Sequence, residues 1–287
     1  MLMDRKTLAE ETQKIVEQGY YVNPQGVRTA ISAFVETARQ GTKLYRPDEM
    51  QALLDGPNTA PPANKPLKIE VTAESTAEAC TRLVRNYGVL DVVALNFASA
   101  KNPGGGWLGG ARAQEEDLAI SSALVTCLWK TPEYYLANNM SGSLLYTDHL
   151  IHTPDVPFFR DEQKGLMATP VLVSIITSPA PNAGEYLREH PNDLDGVRKA
   201  LHRRAGHVLA AARAHGHRTL VLGAWGCGVF RNLPEDVATS FQKWLADPKF
   251  VGAFSRVVFA ILDRSETKAT LAAFQKVFAP PAPATPT

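Results

Sequence analysis

The sequence predicts an α/β fold, a largely parallel or mixed sheet sandwiched between helices, with an N-terminal helical extension. Three observations predict it. From residue 67 onward, short β-branched apolar runs alternate with amphipathic stretches. Residues 4–18 and 27–40 show only helical spacing, through Leu8, Ile15 and Val16, then Val27, Ala30, Ile31, Phe34 and Val35. A Pro- and Asn-rich stretch at 55–66 separates the two regimes. The expected organisation is a helical accessory region and linker over 1–66, a main domain over 67–278 and a structureless Pro/Ala/Thr tail over 279–287.

In chain order, residues 68–74 read as a strand. Residues 75–88 read as a helix with both ends marked, by an N-cap Ser75 with Glu78 three residues on, and by Gly88. The run 89–99 is apolar and β-branched almost throughout, as a strand buried on both faces requires. A glycine-rich loop follows, then a helix over about 114–129. Residues 150–156 and 171–179 read as strands, and 193–216 as a long amphipathic helix. A strand at 218–226 runs into a second glycine-rich loop. A helix at 233–246, a strand at 256–263 and a helix at 265–278 complete the pattern. Ligands on such sheets bind outside the carboxyl ends of the strands, where both glycine loops fall.

Composition narrows the function. Lys+Arg number 30 and Asp+Glu 29, a net charge of +1, which argues against coating bare nucleic acid or an anionic membrane. Hydrophobic residues make up 45% and charged residues 21%, the balance of a globular enzyme. Cys80, Cys127 and Cys227 form no C-x-x-C pair, so neither a disulfide framework nor a zinc knuckle is expected. The N-terminus has early acids and no apolar core of a signal peptide, and no run approaches 18 apolar residues. The expected address is the cytoplasm. The seven histidines show no metal-ligand spacing, so no metal is expected.

The first loop runs from Asn96 through Asn102, Gly104-Gly105-Gly106 and Gly109-Gly110 to Gln114-Glu115-Glu116. Glycines let the main chain approach a ligand, and free N–H groups there attract anions. Neighbouring helical residues point about 100° apart, so one carboxylate can reach a ligand hydroxyl while the other faces a bond to be broken. Acids also favour helix N-termini through the macrodipole. Two adjacent carboxylates oppose each other's ionisation, and a general acid needs a raised pKa. The second loop, Gly223-Ala224-Trp225-Gly226-Cys227-Gly228-Val229-Phe230-Arg231-Asn232, joins a strand to a helix. It is neither a Walker A sequence nor a dinucleotide fingerprint.

Together these residues resemble the poly(ADP-ribose) glycohydrolases, particularly the bacterial-type branch. The shared features are a glycine triplet, seven residues and then Gln114-Glu115-Glu116, followed in order by Trp225-Gly226-Cys227-Gly228 and Phe230. The stretch leading into the triplet also looks like the bacterial version. The animal branch carries Asp-Phe-Ala-Asn in a shorter run, where this chain has Asn96-Phe97-Ala98-Ser99. The resemblance implies a macrodomain fold and hydrolysis of ribose–ribose O-glycosidic bonds, releasing ADP-ribose. It implies no cofactor. The implied partners are poly(ADP-ribose) and ADP-ribosylated proteins, without direct nucleic-acid or membrane binding. By motif position Glu116 is the catalytic acid, Glu115 holds ribose hydroxyls and Gln114 braces the loop. Gly104, Gly105 and Gly106 lie against that ribose and the diphosphate, and Asn102 bonds the distal ribose. Gly226, Cys227, Gly228 and Val229 offer N–H groups to the diphosphate. Phe230 packs on the distal ribose and Phe259 walls the adenine. The competing readings are a non-catalytic ADP-ribose-binding macrodomain, a mono-ADP-ribosyl-protein hydrolase and, from the glycine loops alone, a nicotinamide-dependent oxidoreductase.

Overall fold

The computed structural model describes residues 4–58 and 66–279. Most of the 55–66 linker and of the 279–287 tail lies outside the described residues. Helix α1 (Arg5–Gln18) starts where the Asp4 side chain accepts the Lys6 N–H, and stops at Gly19 in the left-handed region, φ 75°. The next segment departs from the helix expected over 27–40. Strands β1 (Tyr20–Val22) and β2 (Arg28–Ala30) pair as an antiparallel hairpin, so helix α2 (Ser32–Gly41) begins only after Ile31. Strand β3 (Lys43–Tyr45) then joins the edge of the main sheet, and helix α3 (Pro47–Asp55) starts on Pro47. The N-terminal region therefore supplies a strand to the sheet as well as helices.

Strand β4 (Lys68–Thr72) forms the opposite edge. Helix α4 (Thr76–Tyr87) has the expected capping box between Ser75 and Glu78 and ends on left-handed Gly88. A serine cap of this kind contributes about 1 kcal/mol. Strand β5 (Val92–Phe97) lies at the centre of the sheet. The single helix expected over 114–129 is two, α5 (Gln114–Ser121) and α6 (Leu124–Leu128). Ser122 breaks it: its hydroxyl donates to the Leu118 carbonyl at 2.7 Å and accepts the Leu124 N–H at 3.2 Å, ending one helix and starting the next. Helix α7 (Pro132–Met140) follows.

Strands β6 (Leu150–Arg160) and β7 (Leu166–Ser178) pair antiparallel and are longer than the sequence suggested. β3 covers β6 only at 150–152, so Pro154 and Pro157 sit where the outer edge needs no N–H donor. Helix α8 (Ala183–Glu189) precedes α9 (Leu194–Ala214), which is capped by Asp193. Strand β8 (Thr219–Gly223), helix α10 (Pro234–Leu245), strand β9 (Arg256–Ala260) and helix α11 (Ala269–Val277) complete the chain.

The sheet order is β3-β6-β7-β5-β8-β9-β4, parallel from β7 to β4 and antiparallel from β3 to β7. The alternation of β5 serves two cores. Val93 and Leu95 pack with α9 and α10 residues such as Leu201, Val208 and Phe241, while Val92 and Ala94 pack with Leu83, Leu118 and Leu128 from α4, α5 and α6. This is the mixed sheet between helices that the alternating pattern predicts. Parallel β5, β8 and β9 end on one edge, which places both glycine loops side by side. Among the described residues, no helix is long and apolar enough to cross a membrane.

Candidate active site

The site is built outward from the end of β5. The Phe97 N–H donates to Gln114 Oε1 at 2.8 Å, and Gln114 Nε2 donates to the Leu95 carbonyl at 2.8 Å and to Thr76 Oγ1 at 3.0 Å. Gln114 thus ties the first turn of α5 to both β5 and α4. Beyond the strand, Ser99 Oγ accepts the N–H groups of Lys101 and Asn102 and bends the chain. The Asn102 carbonyl accepts the Gly105 N–H at 3.0 Å. Asn102 itself is exposed at the mouth of the loop.

The glycine triplet is required by its conformation and its neighbours. Gly104 and Gly105 have φ values of 76° and 61°. A Cβ on Gly105 would collide with Glu116 Oε1 and lie 3.2 Å from Glu115 Oε2, and one on Gly104 would lie 2.7 Å from Val125 Cγ2 and 2.9 Å from Trp107 Cδ1. The loop therefore rests on a buried Trp107 and runs directly over the two carboxylates.

Those carboxylates are buried, Glu115 at 2% and Glu116 at 8% exposure. Glu116 Oε1 accepts the Gly106 N–H at 2.9 Å, and its Oε2 accepts the Ala113 N–H at 3.1 Å. Glu115 Oε2 accepts the Ser99 N–H at 2.7 Å, and its Oε1 accepts Asn96 Nδ2 at 3.2 Å. Burial pushes the Glu115 carboxyl up to about 8, and the neighbouring Glu116 adds to the rise against the Ser99 and Asn96 hydrogen bonds that lower it. This burial favours the protonated form of Glu115.

Helix α1 holds the outer side of this loop. Arg5 Nε donates to the Ala111 carbonyl at 3.1 Å, and Thr12 Oγ1 donates to the Ile120 carbonyl at 2.6 Å. The Asp117 carboxylate in α5 pairs with Arg5 at 3.5 Å and with Lys164 at 2.8 Å.

The second loop sits beside the first. The Ser178 carbonyl, at the end of β7, accepts the Ala98 N–H at 3.3 Å and Trp225 Nε1 at 3.1 Å, joining the two loops. Trp225 is fully buried. Gly226 has φ 71°, and a Cβ there would collide with Asn232 Nδ2 and lie 2.5 Å from Ala180 Cβ. Asn232 Nδ2 donates to the Pro181 and Gly226 carbonyls, closing the turn. By contrast, nothing lies within 4 Å of a Cβ on Gly228, and Val229 is 83% exposed. The Cys227 N–H donates back to the Ala224 carbonyl at 3.1 Å, whereas the N–H groups of Gly228, Val229 and Phe230 meet no acceptor among the described residues. Burial pushes the Cys227 thiol up to about 12, which leaves it protonated. The Phe230 ring stands 5.9 Å from Tyr146.

One expected residue is corrected. Phe259 is fully buried, with Phe278, Phe274 and Phe241 ring centroids at 4.3, 5.6 and 5.9 Å, so no face is open to an adenine. It belongs to the core between the sheet and α10 and α11. Sequence reasoning also missed partners. Thr76 and Ser99 position the acidic turn through hydrogen bonds that no spacing rule announces. Asn96 was noted only as part of a variable run, yet its side chain touches Glu115. Tyr146 lies in a loop whose sequence carries no such signal.

The family model for the microbial-type PARG catalytic domain matches residues 9–161. Comparison with curated proteins gave no match. The chain is similar to the crystal structure of poly(ADP-ribose) glycohydrolase from Thermomonospora curvata, with 45% identity, 96% of this chain and 99% of that chain covered, and a TM-score of 0.90. The same enzyme bound to the inhibitor ADP-HPD gives 44% identity, the same coverage and a TM-score of 0.87. The Deinococcus radiodurans enzyme in complex with ADP-ribose gives 45% identity, 85% and 97% coverage, and a TM-score of 0.79. With its paired acids under a glycine triplet and a matched family model over more than half its length, the chain belongs to the microbial-type poly(ADP-ribose) glycohydrolase family and is a glycosidase of that family.

Proposed function

We propose that the carboxylate pair beneath the first glycine loop cleaves the ribose–ribose O-glycosidic bond of poly(ADP-ribose), with Glu116 as general acid and then general base. The observation that carries this reading is that Glu116 is fixed at both oxygens by backbone N–H groups of the loop it serves. A diphosphate bound against the N–H groups of Gly226, Gly228 and Val229, with Phe230 beside them in place of Cys227, whose N–H is spent on Ala224, brings the terminal ribose over Gly104–Gly106. Phe230 packs on the distal ribose, which Asn102 at the mouth also bonds. Glu115, the deeper of the two, grips the hydroxyls of the ribose undergoing cleavage.

Glu116 protonates the departing 2′ oxygen as the anomeric C–O bond breaks. The developing oxocarbenium charge is balanced by the diphosphate. The Glu116 carboxylate then takes a proton from the attacking water, which forms the new C–O bond. One carboxylate serves both steps, unlike the glycosidase pair set across a sugar. The proteins served are ADP-ribosylated proteins carrying polymer, and the product is ADP-ribose. The setting we propose is the cytoplasm.

A second reading exchanges the acids. It is favoured by the Glu115 carboxyl, which burial pushes up to about 8, towards the range a general acid needs. Chromatography of products from poly(ADP-ribose) and from a mono-ADP-ribosylated protein tests both. Glu116→Gln is expected to abolish ADP-ribose release from polymer, while Glu115→Gln slows it and weakens sugar binding. The reverse pattern assigns the acid to Glu115. Binding without release by the parent points to a passive reader, and release only from the mono-modified protein points to that substrate instead.

A further inference from the structure

We propose that Lys6, Lys101 and Arg112 form a cationic rim that holds the phosphates of the polymer unit behind the scissile bond. This rests on the glycohydrolase reading and extends it to a second subsite.

The three residues come from separate segments that are each tied to the loop over the carboxylate pair. Lys101 follows the Ser99 turn, its N–H donating to Ser99 Oγ at 3.2 Å, and the Ser99 N–H is itself bonded to Glu115. Arg112 precedes Ala113, whose N–H is bonded to Glu116 Oε2. Lys6 comes from α1, and its Cγ lies 3.3 Å from where a Cβ on Gly110 would stand, two residues from Arg112. The adjoining Ala111 Cβ lies 3.1 Å from a Cβ position on Gly106, on the loop over the acids.

All three are exposed, and their charged ends have no carboxylate partner among the described residues. Of the acids nearby, Asp117 pairs with Arg5 and Lys164 and Asp4 caps α1, while Glu10, one turn along α1 from Lys6, makes no ion pair with it. In a chain whose net charge is only +1, three free cations flanking one pair of acids form a local positive surface. The diphosphate of the terminal unit is served by the other loop. The chemistry that fits this rim is therefore the pyrophosphate of the next unit along the leaving chain.

The experiment compares the parent with Lys6→Gln/Lys101→Gln/Arg112→Gln on long polymer over a range of salt, with ADP-ribose affinity measured by calorimetry. The expected result is a fall in kcat/KM of about tenfold at low salt, carried by KM, with a salt slope shallower by about one per cation removed. ADP-ribose affinity and saturating kcat stay within about twofold, as for exposed residues outside the terminal pocket. Lys6→Arg and Lys101→Arg keep parental behaviour. Unchanged KM and salt slope overturn the proposal, and so does ADP-ribose affinity falling in parallel. A parent that releases no ADP-ribose overturns the glycohydrolase reading instead; polymer affinity of the same proteins then reads the rim directly, and equal affinities reject it.

Discussion

The two glycine loops share a composition and an edge of the sheet, but they are built for opposite conditions. The first is closed before any ligand arrives. Its N–H groups at Gly106, Ala113 and Ser99 are spent on the side chains of Glu116 and Glu115, and its glycines are pressed over those carboxylates. The second has a closed root and an open tip. Gly226 and Asn232 lock its base, while Gly228 faces empty space and the following N–H groups point to no protein acceptor. Chemistry needs a preorganised arrangement whose reorganisation cost is met in folding. Anion binding can use donors left free for the ligand. Glycine is needed for steric room in the first loop and at the base of the second, and for backbone reach at the second loop's tip.

The sharpest way to break this contrast is Gly105→Ala. Left-handed backbone and collision with Glu116 together displace the acid, and polymer turnover is expected to fall by at least about a hundredfold. Kinetics within a few-fold of the parent would mean that the loop is not fitted to Glu116.

The next effect is on stability. Glu115 is raised from 4.5 to about 8, so between those pH values the folded chain holds a proton that the unfolded chain releases. The parent's stability contribution is fully present below about pH 4.5 and is lost as pH rises through about 8. Glu115→Gln does not titrate, so its melting temperature should rise relative to the parent's across that window. A difference independent of pH, measured by calorimetric melting, contradicts burial of a neutral acid.

The second loop should respond more mildly. Gly226→Ala strains a left-handed turn and crowds Asn232 and Ala180, and should weaken ADP-ribose binding about tenfold, seen by calorimetry. Gly228→Ala, with open space around it, should change affinity by less than about threefold. Equal effects at the two positions would erase the distinction between locked base and open tip.

What could be read from sequence follows the same physics. Ser75, Glu78 and Gly88 bound α4 because capping is local chemistry. The glycine triplet before Gln114-Glu115-Glu116 and the Trp225-Gly226 turn stood out because close approach leaves few residue choices. The break at Ser122 did not stand out, since it depends on a hydroxyl choosing Leu118 and Leu124 within an apolar run. Arg28–Ala30 has helical spacing but pairs with β1, a tertiary override of a short periodic segment. Phe259 was misplaced because a residue in a buried strand faces one of two helical layers, and only packing decides which. Asn96 reaches Glu115 across a gap of 19 residues that no local pattern records.

The central claim is that Glu116, held by the first loop, does the chemistry, while the second loop supplies the grip. It is tested most directly by measuring, on one preparation of Glu116→Gln, both ADP-ribose release from poly(ADP-ribose) and ADP-ribose affinity. The account predicts release reduced by at least about a thousandfold, with affinity within about threefold of the parent. Release at the parental rate, or a loss of affinity that accounts for the lost turnover, would contradict it.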